Sequence, residues 1–241
     1  MAPKHKILGI YVGNERNLMY MVYNERYAVA FDTTDVKILE HALKIDPTSM
    51  LMEHEHVLKC EAKFDRKLLA VFTTHHHWDH SHGNDEVMLL TENVFHGRNL
   101  EEKKYYFEDF EVFALATPCH TEDSYSFLID DYLILGDTLL YLGCGKFFEG
   151  TAKDMKACFE KLKENVRPEV ICCYGHDYAD TGYKFACEYF DVPKDYQSKR
   201  LLTFGEELAY NPFINFQKLV DRKAIKGLTE LRTIKNRYKG E

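Results

Sequence analysis

The stretch Thr73-Thr74-His75-His76-His77-Trp78-Asp79-His80-Ser81-His82-Gly83 decides how this chain is read. It holds five of the twelve histidines in 241 residues. It follows directly on the apolar run Leu68-Leu69-Ala70-Val71-Phe72. That run is a strand by composition, so the histidines sit where a strand ends. In extended or loop backbone, side chains two apart point the same way. His75 and His77 can therefore grip one ion, while Asp79 and His80 are placed to reach a second. Histidine and carboxylate donors suit zinc, iron and manganese.

One loop cannot close two sites, so further donors are expected at other strand ends. His120 follows Phe113-Ala-Leu-Ala-Thr-Pro118-Cys119, Asp137 follows Tyr132-Leu-Ile-Leu-Gly136, and His176 follows Val170-Ile-Cys-Cys-Tyr-Gly175. Each has Gly or Pro nearby to bend the backbone. The other His-x-His, His54 and His56, lies in a helical-looking segment, where residues two apart diverge; both are read as surface residues.

Working outward, Lys6 to Val12, Leu18 to Tyr23 and Tyr27 to Asp32 read as strands, with Asn24-Glu25-Arg26 as a hairpin turn. Segments near 35–44 and 48–62 have helical spacing. Val87 to Leu90, Glu111 to Ala116, Ser126 to Ile129, Tyr132 to Leu135 and Val170 to Tyr174 are expected strands, Asp130-Asp131 turning one hairpin. Thr151 with Asp154 forms a capping-box-like start to a helix reaching about Asn165. After Tyr178 the pattern is mostly helical. The division expected is a core over 1–177 and a helical portion over 178–241.

The composition is globular, with 45% apolar residues, and no apolar run approaches a membrane span. A cytoplasmic protein without a membrane segment is expected. Seven cysteines without a Cys-x-x-Cys pair predict buried free thiols rather than a disulfide framework. A formal charge of −8 argues against nucleic acid as a partner. The charge is uneven: from Arg222 to Lys239 there are seven basic residues and one acidic, Glu230. Such a tail is a solvated helix face or a receptor for a small anion.

The pattern His-x-His-x-Asp-His, with later His, Asp and His at strand ends, resembles the metallo-β-lactamase superfamily. The blocks THHHWDH, ATPCHT, GDTL, GCGKFFEGT, YGHDY and AYNPF are similar, within it, to the glyoxalase II (hydroxyacylglutathione hydrolase) family. They run from Thr74 to Phe213, with a further match near the C-terminus. The resemblance implies an α/β fold, an αββα sandwich followed by a helical substrate-binding domain over 178–241. It implies one metal on His75, His77 and His120, a second on Asp79, His80 and His176, and Asp137 bridging them. Asp79 and Asp137 would then serve catalysis together with a metal-bound hydroxide. The ions would be two divalent metals per chain: zinc, or iron or manganese. Lys146 and Tyr178 would contact the glutathione backbone, and Arg232 and Lys235, three apart on a helix, its glycine carboxylate. The implied reaction is hydrolysis of S-(2-hydroxyacyl)glutathione by a monomer.

The chain departs from the family at four places. Phe148 stands where a tyrosine is usual, His82 replaces the first glycine after the cluster, and Thr121-Glu122-Asp123-Ser124 replaces Thr-x-Gly-His. The stretch from His96 to Phe110 is short. The alternative within the superfamily is a persulfide dioxygenase-like mononuclear iron oxidoreductase. It typically lacks the Lys146–Gly150 segment and the Arg232/Lys235 pair. A metal-dependent nuclease fits the net charge poorly. A binding module with a degenerate site fits poorly too, since all seven donors are in place. Cys119, beside His120, is read as packing rather than as a nucleophile.

Overall fold

The computed structural model describes residues 4–13 and 16–238, the side chain of Arg98 aside. One sheet contains β1 (Lys6–Val12), β2 (Asn17–Tyr23), β3 (Tyr27–Phe31), β4 (Leu51–Glu53), β5 (Lys67–Phe72) and β6 (Val94–Phe95), in the order β4-β1-β2-β3-β5-β6. Next come β7 (Lys104–Phe107), β8 (Phe110–Ala116), β9 (Tyr125–Ile129) and β10 (Tyr132–Gly136). A small hairpin of β11 (Leu139–Leu140) and β12 (Gly143–Cys144) follows, then β13 (Ile171–Tyr174). The second sheet runs β13-β10-β9-β8-β7.

The strands are apolar on both faces because each sheet is covered twice. In β2, Leu18, Tyr20 and Val22 join the apolar cluster between the sheets, while Met19, Met21 and Tyr23 face an outer one. Helices α1 (Val36–Ala42) and α2 (His54–Lys59) close that outer layer through Val36, Leu39 and Val57. In β10, Tyr132 and Ile134 point inward, and Leu133 and Leu135 point to the opposite outer layer. Period-two alternation thus feeds three clusters, giving helix–sheet–sheet–helix layering. The mid-plane is aromatic: Phe31, Phe72 and Phe127 have ring centroids 5.1–5.8 Å apart.

The remaining helices are α3 (Trp78–Ser81), α4 (Asn84–Val87), α5 (Ala152–Asn165), α6 (Ala179–Cys187), α7 (Phe204–Tyr210), α8 (Phe216–Asp221) and α9 (Leu228–Arg237). The Thr151 hydroxyl and backbone pair with Asp154, so the capping box starts α5 as expected. Phe185, Phe204, Leu219, Leu228 and Leu231 of the C-terminal helices share one cluster with Leu133 and Leu135 of the sheet. No described helix is long and apolar enough to cross a membrane.

Several local expectations need correction. Val87 to Leu90 is not a strand: α4 ends at Val87 and a turn follows. The polar run Asn84-Asp85-Glu86 favours a helical first turn over a strand, which the apolar residues alone concealed. The segment 48–62 divides into β4 and α2, because Leu51 to Glu53 pair in parallel with β1. Strands β6, β7, β11 and β12 carry too little pattern to have been expected. All seven cysteines are free, but Cys60 is half-buried and Cys187 exposed, so only five are buried thiols.

Candidate metal centre

The seven donors come from four places along the chain and meet in one cleft. After β5 the chain turns through His75 and His77 into α3, which carries Asp79 and His80. His120 follows β8, Asp137 follows β10, and His176 follows β13. Every loop stands at the carboxyl end of a strand, where a sheet presents its ligand-binding edge.

Two groups form. His75 Nε2 and His120 Nε2 each lie 3.0 Å from His77 Nδ1. His80 Nε2 lies 3.4 Å from His176 Nε2, with Asp79 Oδ2 3.7 and 3.5 Å from those two atoms. Asp137 spans the groups with its two oxygens. Oδ2 is 3.4 Å from His120 Nε2, and Oδ1 is 3.5 Å from His176 Nε2 and 3.7 Å from His80 Nε2. Donor atoms at such spacing around a common centre can hold a metal ion, and both triads, His75/His77/His120 and Asp79/His80/His176, meet that geometry. Asp137 Oδ1 is buried without a hydrogen-bond partner among the described residues. A buried carboxylate oxygen left so is costly unless a cation faces it. The donor set therefore fits metal.

A further set of residues fixes these donors, and the sequence reading missed it. Asp32 Oδ2 accepts from His80 Nδ1 at 2.8 Å, leaving Nε2 to face the cleft. Asp32 also accepts from the Thr74 amide (2.6 Å) and hydroxyl (2.8 Å), tying the end of β3 to the histidine loop. A carboxylate behind a ligating histidine sets its tautomer and orientation. Asp32 has φ +50°, in the left-handed region that few residues other than glycine enter. Its signal was present in the sequence: like Asp137, it is an aspartate directly after an apolar strand. His120 Nδ1 donates to the Lys146 carbonyl at 2.9 Å, and Asn17 Nδ2 donates to Asp79 Oδ2 at 2.9 Å. Gly136 is required where it stands. Its φ is +48°, and a Cβ there would lie 2.4 Å from Thr74 Oγ1.

Electrostatics follow from burial. Desolvation, then the neighbouring imidazoles, holds His75 well below the usual histidine range. His120 is lowered by the same burial, partly offset by Asp137. Burial also opposes a charged His80, but Asp32, Asp137 and Asp79 outweigh it and raise its pKa to about 9. The second group thus attracts positive charge, which a proton or a metal ion can supply. Cys119 is buried, its Sγ bonded to the Thr151 carbonyl at 3.3 Å, and burial pushes its thiol up to about 11. It is packed and not activated.

A cavity of about 290 Å³ opens over His77, Asp79, His120, Asp137 and His176. Lys146, Phe148, Tyr178, Arg232 and Lys235 line it as well. Arg232 and Lys235 face it together from α9, 88 and 54 residues from the carbonyls of Cys144 (2.6 Å) and Thr181 (2.8 Å) that they bond. Burial, with the like charge of Arg232, lowers Lys235 to about 8. Lys239, the last residue of the basic run, lies outside the described residues. The Tyr178 ring stacks on His176 at 4.9 Å. Phe148 stands edge-on to His77 and His120, at 5.6 and 5.2 Å, as an apolar wall in place of a hydroxyl.

The other departures are accommodated. His82 takes ordinary helical angles and is exposed, so no glycine is needed there. Gly83 is the tight position: a Cβ would meet the Thr33 carbonyl oxygen at 2.2 Å. Asp123 bonds His76 Nδ1 at 2.8 Å, turning that histidine away from the donors. His56 is exposed, while His54 is half-buried against a second groove.

No family model matches the chain. Among curated relatives, a probable hydroxyacylglutathione hydrolase of Encephalitozoon cuniculi is 34% identical, covering 98% of this chain and 99% of its own. The cytoplasmic hydroxyacylglutathione hydrolase of Arabidopsis thaliana is 29% identical, covering 83% and 91%. Among solved structures, ETHE1 from Myxococcus xanthus superposes with a TM-score of 0.63 at 21% identity, over 98% and 99% of the two chains. The B3 metallo-β-lactamase BLEG-1 gives 0.60 at 18%, over 86% and 99%. TTHA1623 in a di-iron-bound form gives 0.55 at 20%, over 86% and 99%. At these identities the structures speak for the fold alone. Fold, donor geometry and full-length sequence identity agree: this chain has the metallo-β-lactamase fold and belongs to the hydroxyacylglutathione hydrolase family.

Proposed function

We propose that the protein is a binuclear metal-dependent thioester hydrolase that cleaves S-(2-hydroxyacyl)glutathione, S-lactoylglutathione in the first place, to glutathione and a 2-hydroxy acid. The observation that carries this reading is the single cavity in which five of the seven donors meet Lys146, Tyr178, Arg232 and Lys235. In this reading His75, His77 and His120 would hold one ion and Asp79, His80 and His176 the other, with Asp137 standing between the two groups. Divalent ions of this kind lower the pKa of bound water from about 15.7 toward 7 and polarise a carbonyl. The chain's own part is to place them. Asp32 and the Lys146 carbonyl orient the imidazoles, and Asn17 holds the Asp79 carboxylate. Phe148 and Tyr178 flank the donors.

On the substrate side, Arg232 and Lys235 present two cationic groups for the glycine carboxylate, while Lys146 and Tyr178 reach the peptide portion. A charged carboxylate makes stronger hydrogen bonds than the backbone carbonyls those two cations now hold. The helical portion over 178–241 thus serves as the substrate-binding part, with its site shared with the core. A thiolate is a good leaving group, so the reaction needs no serine or cysteine nucleophile. The cytoplasm is the proposed compartment, in line with the plant relative named as the cytoplasmic form.

The test is turnover of S-lactoylglutathione by purified protein, with zinc, iron and manganese assayed on the same sample. Turnover with about two metals per chain is expected. One iron per chain, with oxygen consumed on a glutathione persulfide and no thioester hydrolysis, would replace this reading with the dioxygenase alternative.

A further inference from the structure

Two spaces lie beside Asp79, the donor that borders both. On one side lies the cationic cavity with Lys146, Arg232 and Lys235. On the other, a groove of about 660 Å³ is lined by Val12, Asp35, Ile38, His54, Trp78 and His82. Among the described residues lining this groove there is no lysine or arginine. The first side suits an anion; the second, with the carboxylates of Asp35 and Asp79, repels one and suits an uncharged, partly apolar group.

Trp78 is 72% exposed, unusual for so large an apolar ring. It is nonetheless held in place. Its ring stacks on His82 at 4.0 Å with an interplanar angle of 11°, and His82 Nδ1 donates to the Trp78 carbonyl at 2.7 Å. The pair forms a flat, ordered aromatic wall beside the donor Asp79.

A thioester has two arms, and its carbonyl must lie over the donors. With the glutathione arm in the cationic cavity, the acyl arm is directed across Asp79 toward the groove. We propose that the groove is the acyl subsite, and that its Trp78–His82 wall and its volume, more than twice that of the cationic cavity, favour 2-hydroxyacyl arms bulkier than lactoyl, aromatic ones above all. This rests on the function proposed above.

The experiment compares kcat/KM for S-lactoylglutathione with that for the thioester carrying phenyl in place of its methyl. It uses the wild-type metalloprotein and the variants Trp78→Ala and His54→Trp. The substrates share the glutathione arm and the metals, so a folding or loading defect lowers both rates and leaves their ratio alone. The wild type is expected to favour the phenyl thioester. Trp78→Ala should lower the phenyl-to-methyl ratio about fivefold, the order of one ring–ring contact. His54→Trp, which narrows the groove at a residue that does not line the cationic cavity, should lower it as well. A ratio unmoved in both variants would overturn the subsite while leaving the hydrolase intact. If the wild type cleaves neither thioester, the hydrolase reading itself falls, and the subsite with it.

Discussion

The floor of the cleft and its C-terminal wall are built on different terms. On the floor, His75, His80, His120 and His176 are buried, and His80, His120 and Asp79 are each braced by a second group: Asp32, the Lys146 carbonyl and Asn17. On the wall, Arg232 and Lys235 are half-buried, and they bond the backbone carbonyls of Cys144 in β12 and Thr181 in α6. The floor is locked before any substrate arrives, as groups that must act on a reacting atom need to be. The wall is only parked: its cations hold bonds that a carboxylate can take over. Damage to the floor should therefore cost chemistry, and damage to the wall should cost binding.

The sharpest way to break this contrast is Asp137→Asn. Replacing the carboxylate that faces both triads should reduce bound metal and lower hydrolysis by about a thousandfold or more, since ion and nucleophile are lost together. Normal turnover with a full metal complement would defeat the bridging role. Next in size, Asp32→Asn removes the charge behind His80 without touching a donor. Loss of such an outer partner commonly lowers metal affinity 10- to 100-fold, and a metal titration with chelator competition would read it. An affinity like the wild type's would show that His80 is held by packing alone.

On the wall, Arg232→Ala should raise KM about tenfold and change kcat little, because it removes binding common to substrate and transition state. An unchanged KM would return the basic tail to ordinary surface. The same pair makes a pH prediction. Lys235 is charged below about 8 and loses its charge above it, so KM should rise as pH passes from 7 to 9. Removing the like charge of Arg232 should move that rise to higher pH. A pH-independent KM would exclude Lys235 from the carboxylate site.

The smallest effect on the site is expected beneath it. Glu207 is fully buried and accepts from Tyr174 Oη (2.6 Å), the Leu142 amide (3.0 Å) and Asn211 Nδ2 (2.6 Å), joining α7 to the loop between β11 and β12. Burial, only partly opposed by these bonds, raises its pKa to about 7. Folding therefore favours the neutral acid. That stability is fully present below its ordinary value of 4.5 and is lost as pH rises through about 7. Glu207→Gln should flatten the fall in Tm between pH 5 and 8 by a few degrees. A fall as steep as the wild type's would assign it to other groups.

How much of this was legible beforehand depended on whether the signal was local. The histidine cluster was readable because four of the seven donors stand between His75 and His80. Asp137 and His176 were readable because each stands after a strand whose apolar run is unbroken. Asp32 carried the same signal, but nothing local says that its carboxylate turns to His80, 48 residues away. Val87 to Leu90 misled because an apolar quartet looks alike in a strand and in the end of a short helix. His82 stood out only as a histidine in a glycine's place, and its stack on Trp78 makes it part of a wall.

The amino-acid sequence by itself determined the strands buried on both faces, the donor types and the strand ends that bear them. These follow from side-chain period and residue chemistry, which act over a few positions. The tertiary structure alone decided which donors stand together. His77 meets His120 across 43 residues, and His80 meets His176 across 96. It also turned Arg232 and Lys235 into the cleft and opened a second groove on the far side of Asp79. Such distances are set by how two sheets and the last helices pack, and no local preference along the chain encodes them.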